Sequence, residues 1–159
     1  MKKVLLIILS LFLLVSCETK TMKMSSSSME PTFKKGDSVV INLRAYANES
    51  PKRWEIAVYQ GRNDKLWIHR VVGLPGEYLV INPDGIYING TKLPKPDYLS
   101  HISYIPEEML VNKDVTPPYK EYKIPNDSYF LLGDNSQKSY DSRMVGPISI
   151  DKIKGKVQQ

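Results

Sequence analysis

A chain of 159 residues with one cysteine is long enough to bury a core without disulfide staples, and it excludes an intramolecular disulfide. Its formal charge of +5 includes Lys2 and Lys3, and without those two lysines it falls to about +3. The basic residues are scattered and do not alternate with aromatic ones, which argues against nucleic-acid binding; a weak attraction to an anionic membrane surface is compatible with this charge.

Residues 1–16 read as a lipoprotein-type signal segment, with Lys2-Lys3 ahead of an apolar run from Val4 to Leu14. As a helix, Val4 to Cys17 would span about 21 Å against a hydrocarbon core of about 30 Å, too short for a comfortable crossing. Leu14-Val15-Ser16-Cys17 resembles a bacterial lipobox, making Cys17 the expected lipidation site; a short retained anchor or an ordinary secretory signal is the alternative. Residues 17–25 are polar without a clear period and read as a tether. It would keep Ser28 within about 40 Å of the lipid.

Ser25-Ser26-Ser27-Ser28 would ordinarily suggest a flexible linker. The following Met29-Glu30-Pro31-Thr32 argues otherwise, because Pro31 fixes its own φ and biases Glu30 toward extended backbone. Ser28 is therefore a candidate nucleophile. Strands are predicted over residues 38–44, 54–59 and 66–72, each rich in β-branched or aromatic residues and bounded by turn signals. In the third, a period of two places Trp67, His69 and Val71 on one face and Ile68, Arg70 and Val72 on the other. Residues 78–82 and 86–89 suggest a hairpin, and Asn89-Gly90 a second reversal into 91–93. Residues 94–118 carry five prolines and read as loop-rich. A strand over 119–123, a buried run over 129–132, a polar loop from Gly133 to Arg143, a strand over 145–150 and a final element over 151–157 complete the chain.

Serine needs a base to act as a nucleophile, and imidazole titrates near neutral pH, so Ser28 with His69 is a chemically sufficient pair. Asp141 and Asp134 are the carboxylates placed to orient the imidazole. His101 lies in the irregular stretch and reads as incidental. Two histidines with no cysteine in the fold give no support to a metal site, and no cofactor is expected.

Four stretches, in order, resemble the sequence boxes of bacterial type I signal peptidases (serine peptidase family S26): Ser26 to Thr32; Gly36-Asp37; Arg70 to Gly76; and Gly133-Asp134-Asn135 with Ser139, Asp141, Ser142 and Arg143. The resemblance implies a mainly β, antiparallel fold. It places the catalytic domain at residues 26–157 and a small, loop-rich second subdomain at about 77–123, between the third and fourth boxes. It also implies a membrane-attached serine endopeptidase on the extracytoplasmic side, removing signal peptides from exported preproteins after small residues at −1 and −3. By position, Ser28 would be the nucleophile, with its N–H and the Ser26 hydroxyl as the oxyanion hole. Ser139 would stand beside the base, and Arg70, Asp134, Asp141 and Arg143 would form the supporting network.

One position departs from the pattern. The bacterial family carries a lysine immediately before the arginine of the third box, where this chain has His69. A lysine base requires burial to lower its pKa, whereas histidine needs an orienting partner on its second nitrogen. The expected set is therefore Ser28, His69 and Asp141, with Asp134 as the fallback. Lys65 lies about 13 Å upstream along the strand and is discounted. The alternatives are a catalytically impaired lipoprotein that binds extended peptides and a dedicated protease for one exported substrate. The sequence leaves the oligomeric state open.

Overall fold

The computed structural model describes residues 18–105 and 120–158. The expected signal segment, and Cys17 as the expected lipidation site, fall outside the described residues. So does much of the proline-rich stretch.

Eleven strands form among the described residues: β1 (Thr19–Lys23), β2 (Ser38–Asn42), β3 (Ile56–Gln60), β4 (Leu66–Gly73), β5 (Tyr78–Asn82), β6 (Gly85–Ile88), β7 (Thr91–Lys92), β8 (Lys120–Lys123), β9 (Ser128–Leu132), β10 (Ile148–Ser149) and β11 (Ile153–Val157). They make a seven-stranded sheet in the order β1-β2-β11-β3-β4-β9-β10 and a four-stranded sheet in the order β7-β6-β5-β8. Every neighbouring pair is antiparallel. The protein is therefore mainly β, as its many short β-branched runs and turn signals predict.

The central strands β3, β4 and β9 are buried on both faces, which explains their near-continuous apolar sequences. On one face Met24, Met29, Val39, Ile41, Ile56, Val58, Ile68 and Val157 pack together. On the other, Ala57, Tyr59, Val71, Tyr129, Leu131 and Ile148 form a second cluster with Trp67 against it. A third cluster joins the small sheet, through Leu79, Ile81 and Ile86, to Val72, Phe130 and Leu132.

Three expectations change. Within the tether expected over residues 17–25, Thr19–Lys23 is not free but pairs with β2 along its whole length, from Thr19 opposite Asn42 to Lys23 opposite Ser38. Backbone pairing at a sheet edge requires little side-chain patterning, so the polar sequence concealed the strand. The strand expected from Trp54 starts instead at Ile56, because Trp54 adopts φ +73° and turns the chain. The strand expected over 145–150 is reduced to β10, Val145 instead closing a short helix, α1 (Ser142–Val145), that begins in the expected polar loop. The Asp141 side chain caps the start of α1, and Gly146 at φ +81° ends it.

Candidate active site

The serine box lies on the connection between β1 and β2. Met24 closes the base of this loop, its N–H donating to the Asp37 carbonyl and its carbonyl accepting from the Gly36 N–H, both at 2.8 Å. Within the loop Met29 is fully buried among Val39, Ile41, Ile56, Val58 and Ile68. Removing such a side chain costs about 2–5 kcal/mol. Its burial fixes the backbone of the adjoining Ser28. The Ser28 carbonyl is held from outside by the Asn135 N–H at 2.9 Å.

Ser28 Oγ stands 3.0 Å from Ser26 Oγ, and the Ser28 N–H points toward Ser26 Oγ at 3.4 Å. A hydroxyl and a backbone N–H thus converge beside Ser28, the donor chemistry an oxyanion requires. They border a cleft of about 240 Å³ lined by Met22, Met24, Ser25, Ser26, Ser28, Leu66, Trp67, Ile68, His69, Lys138 and Tyr140. The cleft follows from the sheet geometry. β9 pairs with β4 only from Arg70 onward, so among the described residues the Leu66–His69 half of β4 has no strand partner on that side.

His69 is buried on β4, with Ala57 directly opposite on β3. Its ring meets the Tyr59 hydroxyl at Nδ1 (2.8 Å) and Ser139 Oγ at Nε2 (3.3 Å). Burial disfavours the charged ring and pushes its pKa down from 6.5 to about 4; Asp141 and Asp134 oppose the shift and Arg143 adds to it. The ring is therefore a neutral base at physiological pH. Among the described residues no hydrogen bond joins it to Ser28, whose Oγ is engaged with Ser26.

Neither aspartate bonds to the imidazole. Asp134 takes a two-point ion pair from Arg70 (2.9 and 2.6 Å), a hydrogen bond from Tyr104 Oη at 2.9 Å and another from the Thr32 hydroxyl. Arg70 also donates to the Trp54 carbonyl at 2.8 Å. This buried network ties the serine loop, through Thr32, to the centre of the large sheet. Asp141 accepts from Arg143 Nε and Nη2 (2.8 and 2.5 Å), from the Arg143 N–H at 3.1 Å and from the Gly133 N–H at 2.9 Å. Burial opposes its charge, but Arg143 and the Gly133 N–H hold its carboxyl below the ordinary range. The expectation that Asp141, or failing it Asp134, hydrogen-bonds His69 is thus not the arrangement found. Both acids complete buried arginine pairs, which bind a carboxylate more fully than an imidazole can.

Ser26, Ser28, His69 and Ser139 come together at or beside the cleft, while Arg70, Asp134, Asp141 and Arg143 stand behind it. In the sequence reading Tyr59 and Tyr104 carried no signal, and Thr32, part of the first box, gave none of its bond to Asp134. The β3–β4 hairpin register is the signal for Tyr59: with Tyr59 opposite Trp67 and Ala57 opposite His69, the phenol lies one diagonal step from the imidazole. The sequence reading also missed the requirement at Gly133, where a Cβ would lie 2.2 Å from Ser139 Oγ and 2.6 Å from the Ser28 carbonyl oxygen.

A buried serine with converging donors, bordering a cleft that it shares with a neutral histidine, on a mainly antiparallel β fold, fits the class of serine hydrolases. The signal peptidase, peptidase S26 family matches residues 1–159, and the chain belongs to that family. It is 35% identical to signal peptidase I V of Bacillus subtilis over 138 residues, covering 84% of this chain and 80% of that protein. It is 33% identical to signal peptidase IB of Staphylococcus aureus over 136 residues, covering 82% and 71% respectively. Among solved structures it resembles a signal peptidase I of Enterococcus faecalis V583, with TM-score 0.52 and 27% identity, covering 69% of this chain and 98% of that one. The protein is accordingly a serine peptidase of the signal peptidase I type.

Proposed function

We propose that this protein removes signal peptides from exported preproteins, after small residues at −1 and −3, using Ser28 as nucleophile and His69 as general base. The observation that carries the reading is the shared cleft: Ser28 and His69 both line it, and Ser26 Oγ lies 3.0 Å from Ser28 Oγ. A volume of about 240 Å³ suits small side chains. The unpaired half of β4 offers backbone groups to an extended substrate, which would add as a strand beside the serine loop.

In this mechanism Ser28 Oγ attacks the scissile carbonyl and passes its proton to His69 Nε2. The oxyanion that forms meets the Ser28 N–H and the Ser26 hydroxyl, a donor of this kind contributing about 3–4 kcal/mol in the transition state. His69 then gives its proton to the leaving amine. Water attacks the acyl-enzyme, with His69 again as base. Ser139 flanks the imidazole, and Arg70–Asp134 and Asp141–Arg143 hold the walls.

For location, we infer attachment to the extracytoplasmic face of a membrane through a lipid on Cys17. The Leu14-Val15-Ser16-Cys17 sequence and the position of the only cysteine support it. A lipoprotein carries two or three acyl chains, enough for stable attachment.

Purified full-length protein is expected to cleave a preprotein bearing Ala-X-Ala before the scissile bond, and Ser28→Ala and His69→Ala each to abolish cleavage. Retained activity in Ser28→Ala refutes the mechanism. That no hydrogen bond joins Ser28 to His69 among the described residues favours one second reading, a peptide-binding protein that lost catalysis with the family's lysine. His69→Lys separates the two: cleavage only in that variant establishes the second reading.

A further inference from the structure

We propose that Tyr59 is the positioning residue of the His69 base, its phenol taking the place at Nδ1 that a carboxylate holds in serine–histidine–aspartate enzymes. The inference rests on the reading of His69 as general base. Three observations converge on it. The Tyr59 hydroxyl lies 2.8 Å from Nδ1 in a buried hydrogen bond, and among the described residues His69 is its one hydrogen-bond partner. Both neighbouring carboxylates are committed to arginines. The residue directly opposite His69 is Ala57, whose small side chain leaves the phenol room to reach diagonally across the strand pair, the two rings 5.7 Å apart and tilted by 48°.

The chemistry of a phenol differs from that of a carboxylate in one respect that matters. A carboxylate only accepts, so it fixes the imidazole proton on Nδ1 and leaves Nε2 free to act as base. A phenol both donates and accepts. In the resting state Tyr59 has no other acceptor for its proton among the described residues, so its O–H donates to Nδ1 and the imidazole proton sits on Nε2, facing Ser139 Oγ. For His69 to take the Ser28 proton, the imidazole must change tautomer, giving its Nε2 proton to water in the cleft and gaining one from water at Nδ1, so that its proton count is unchanged, and the phenol must turn to accept from Nδ1. As the Ser28 Oγ–carbon bond forms, the Oγ proton moves to Nε2, and the resulting imidazolium keeps its Nδ1–H on Tyr59 Oη. When the scissile carbon–nitrogen bond breaks, the Nε2 proton leaves with the amine, and the imidazole is neutral again. Tyr59 stays protonated throughout, since burial and the nearby Asp141 both disfavour its ionisation.

The charged and titratable groups around His69 are Tyr59 from β3, Asp141 and Arg143 from the start of α1, Asp134 from the loop after β9, and Lys138 and Tyr140, which line the same cleft. Tyr59 is the one among them that hydrogen-bonds the ring.

The test compares wild type, Tyr59→Phe and His69→Ala in the full chain. It measures kcat and KM for preprotein cleavage against pH, and the ¹⁵N shifts of the His69 ring in wild type and Tyr59→Phe. In Tyr59→Phe the imidazolium loses its acceptor, so kcat is expected to fall by about 10- to 100-fold, the range for a hydrogen bond to a charged group. KM should stay within about twofold, and the acidic limb of the kcat profile should move to lower pH, a shift that a purely structural role would not produce. In wild type the Nδ1 signal should report a hydrogen-bond acceptor, lost in Tyr59→Phe. Unchanged kcat and pH profile in Tyr59→Phe, with His69→Ala inactive, overturns the Tyr59 assignment and leaves the base intact. An active His69→Ala overturns both. Should Tyr59→Phe fold poorly, the wild-type spectrum decides: an Nδ1 shift without a hydrogen bond refutes the proposal.

Discussion

Lowering the pH perturbs one buried base in a way that can be worked through from the fold. His69 is neutral in the folded protein because burial lowers its pKa from 6.5 to about 4, while in the unfolded chain it titrates near the ordinary value. Between those two values the unfolded state binds the extra proton. The His69 contribution to stability is therefore complete above about pH 6.5, and it is lost as pH falls toward and through about 4. At about 1.4 kcal/mol per pKa unit the full shift amounts to about 3–4 kcal/mol, large against the usual 5–15 kcal/mol of a domain. Urea unfolding of wild type and His69→Gln at intervals from pH 7.5 to 4 isolates the effect, since carboxylates such as Asp141 titrate in both. The two stabilities should diverge by about that amount across the range, wild type losing more. Direct titration of the His69 ring by NMR should give a pKa near 4, and the acidic limb of kcat/KM should lie there rather than near 6.5. Parallel stability curves, or a ring that titrates near 6.5, would show that the imidazole is solvated and refute the reasoning.

Two further perturbations probe the scaffold. Gly133→Ala places a methyl group against Ser139 Oγ and the Ser28 carbonyl. It should destabilise the fold by about 1–3 kcal/mol and abolish cleavage of a preprotein under conditions where circular dichroism shows it folded; wild-type turnover in the folded variant would refute this account. Arg70→Met or Asp134→Leu alone leaves a buried charge without its partner and should cost about 3–5 kcal/mol. The double variant should cost clearly less than the two combined in urea denaturation, whereas additive losses would mean that the pair is not coupled.

Much of the site was legible because its chemistry is local. The proline after Met29-Glu30 marked the serine box as more than a linker, and alternation along β4 separated His69 from Arg70 before any fold was known. Bounded β-branched runs located most strands, since central strands buried on both faces need continuous apolar sequence. The edge strand β1 and the short helix α1 escaped, the first because pairing at an edge is a backbone matter, the second because Asp141 and Gly146 delimit a single turn where the polar loop meets the expected strand.

The sequence by itself determined the mainly β class, the ordered boxes and the identity of the groups near the chemistry: two serines, a histidine where the family pattern asks for lysine, and two acid–arginine sets. Only the tertiary structure decided which group faces which. Asp141, the expected partner, and Asp134, the fallback, are both withdrawn from the imidazole by arginines that bind them at two points. Tyr59, ten residues from His69, carried no catalytic signature of its own. It reaches Nδ1 because the β3–β4 register sets it diagonally across from the ring and because Ala57 leaves the space. Register and side-chain burial are products of the whole packed sheet, so no local pattern in the sequence encodes them.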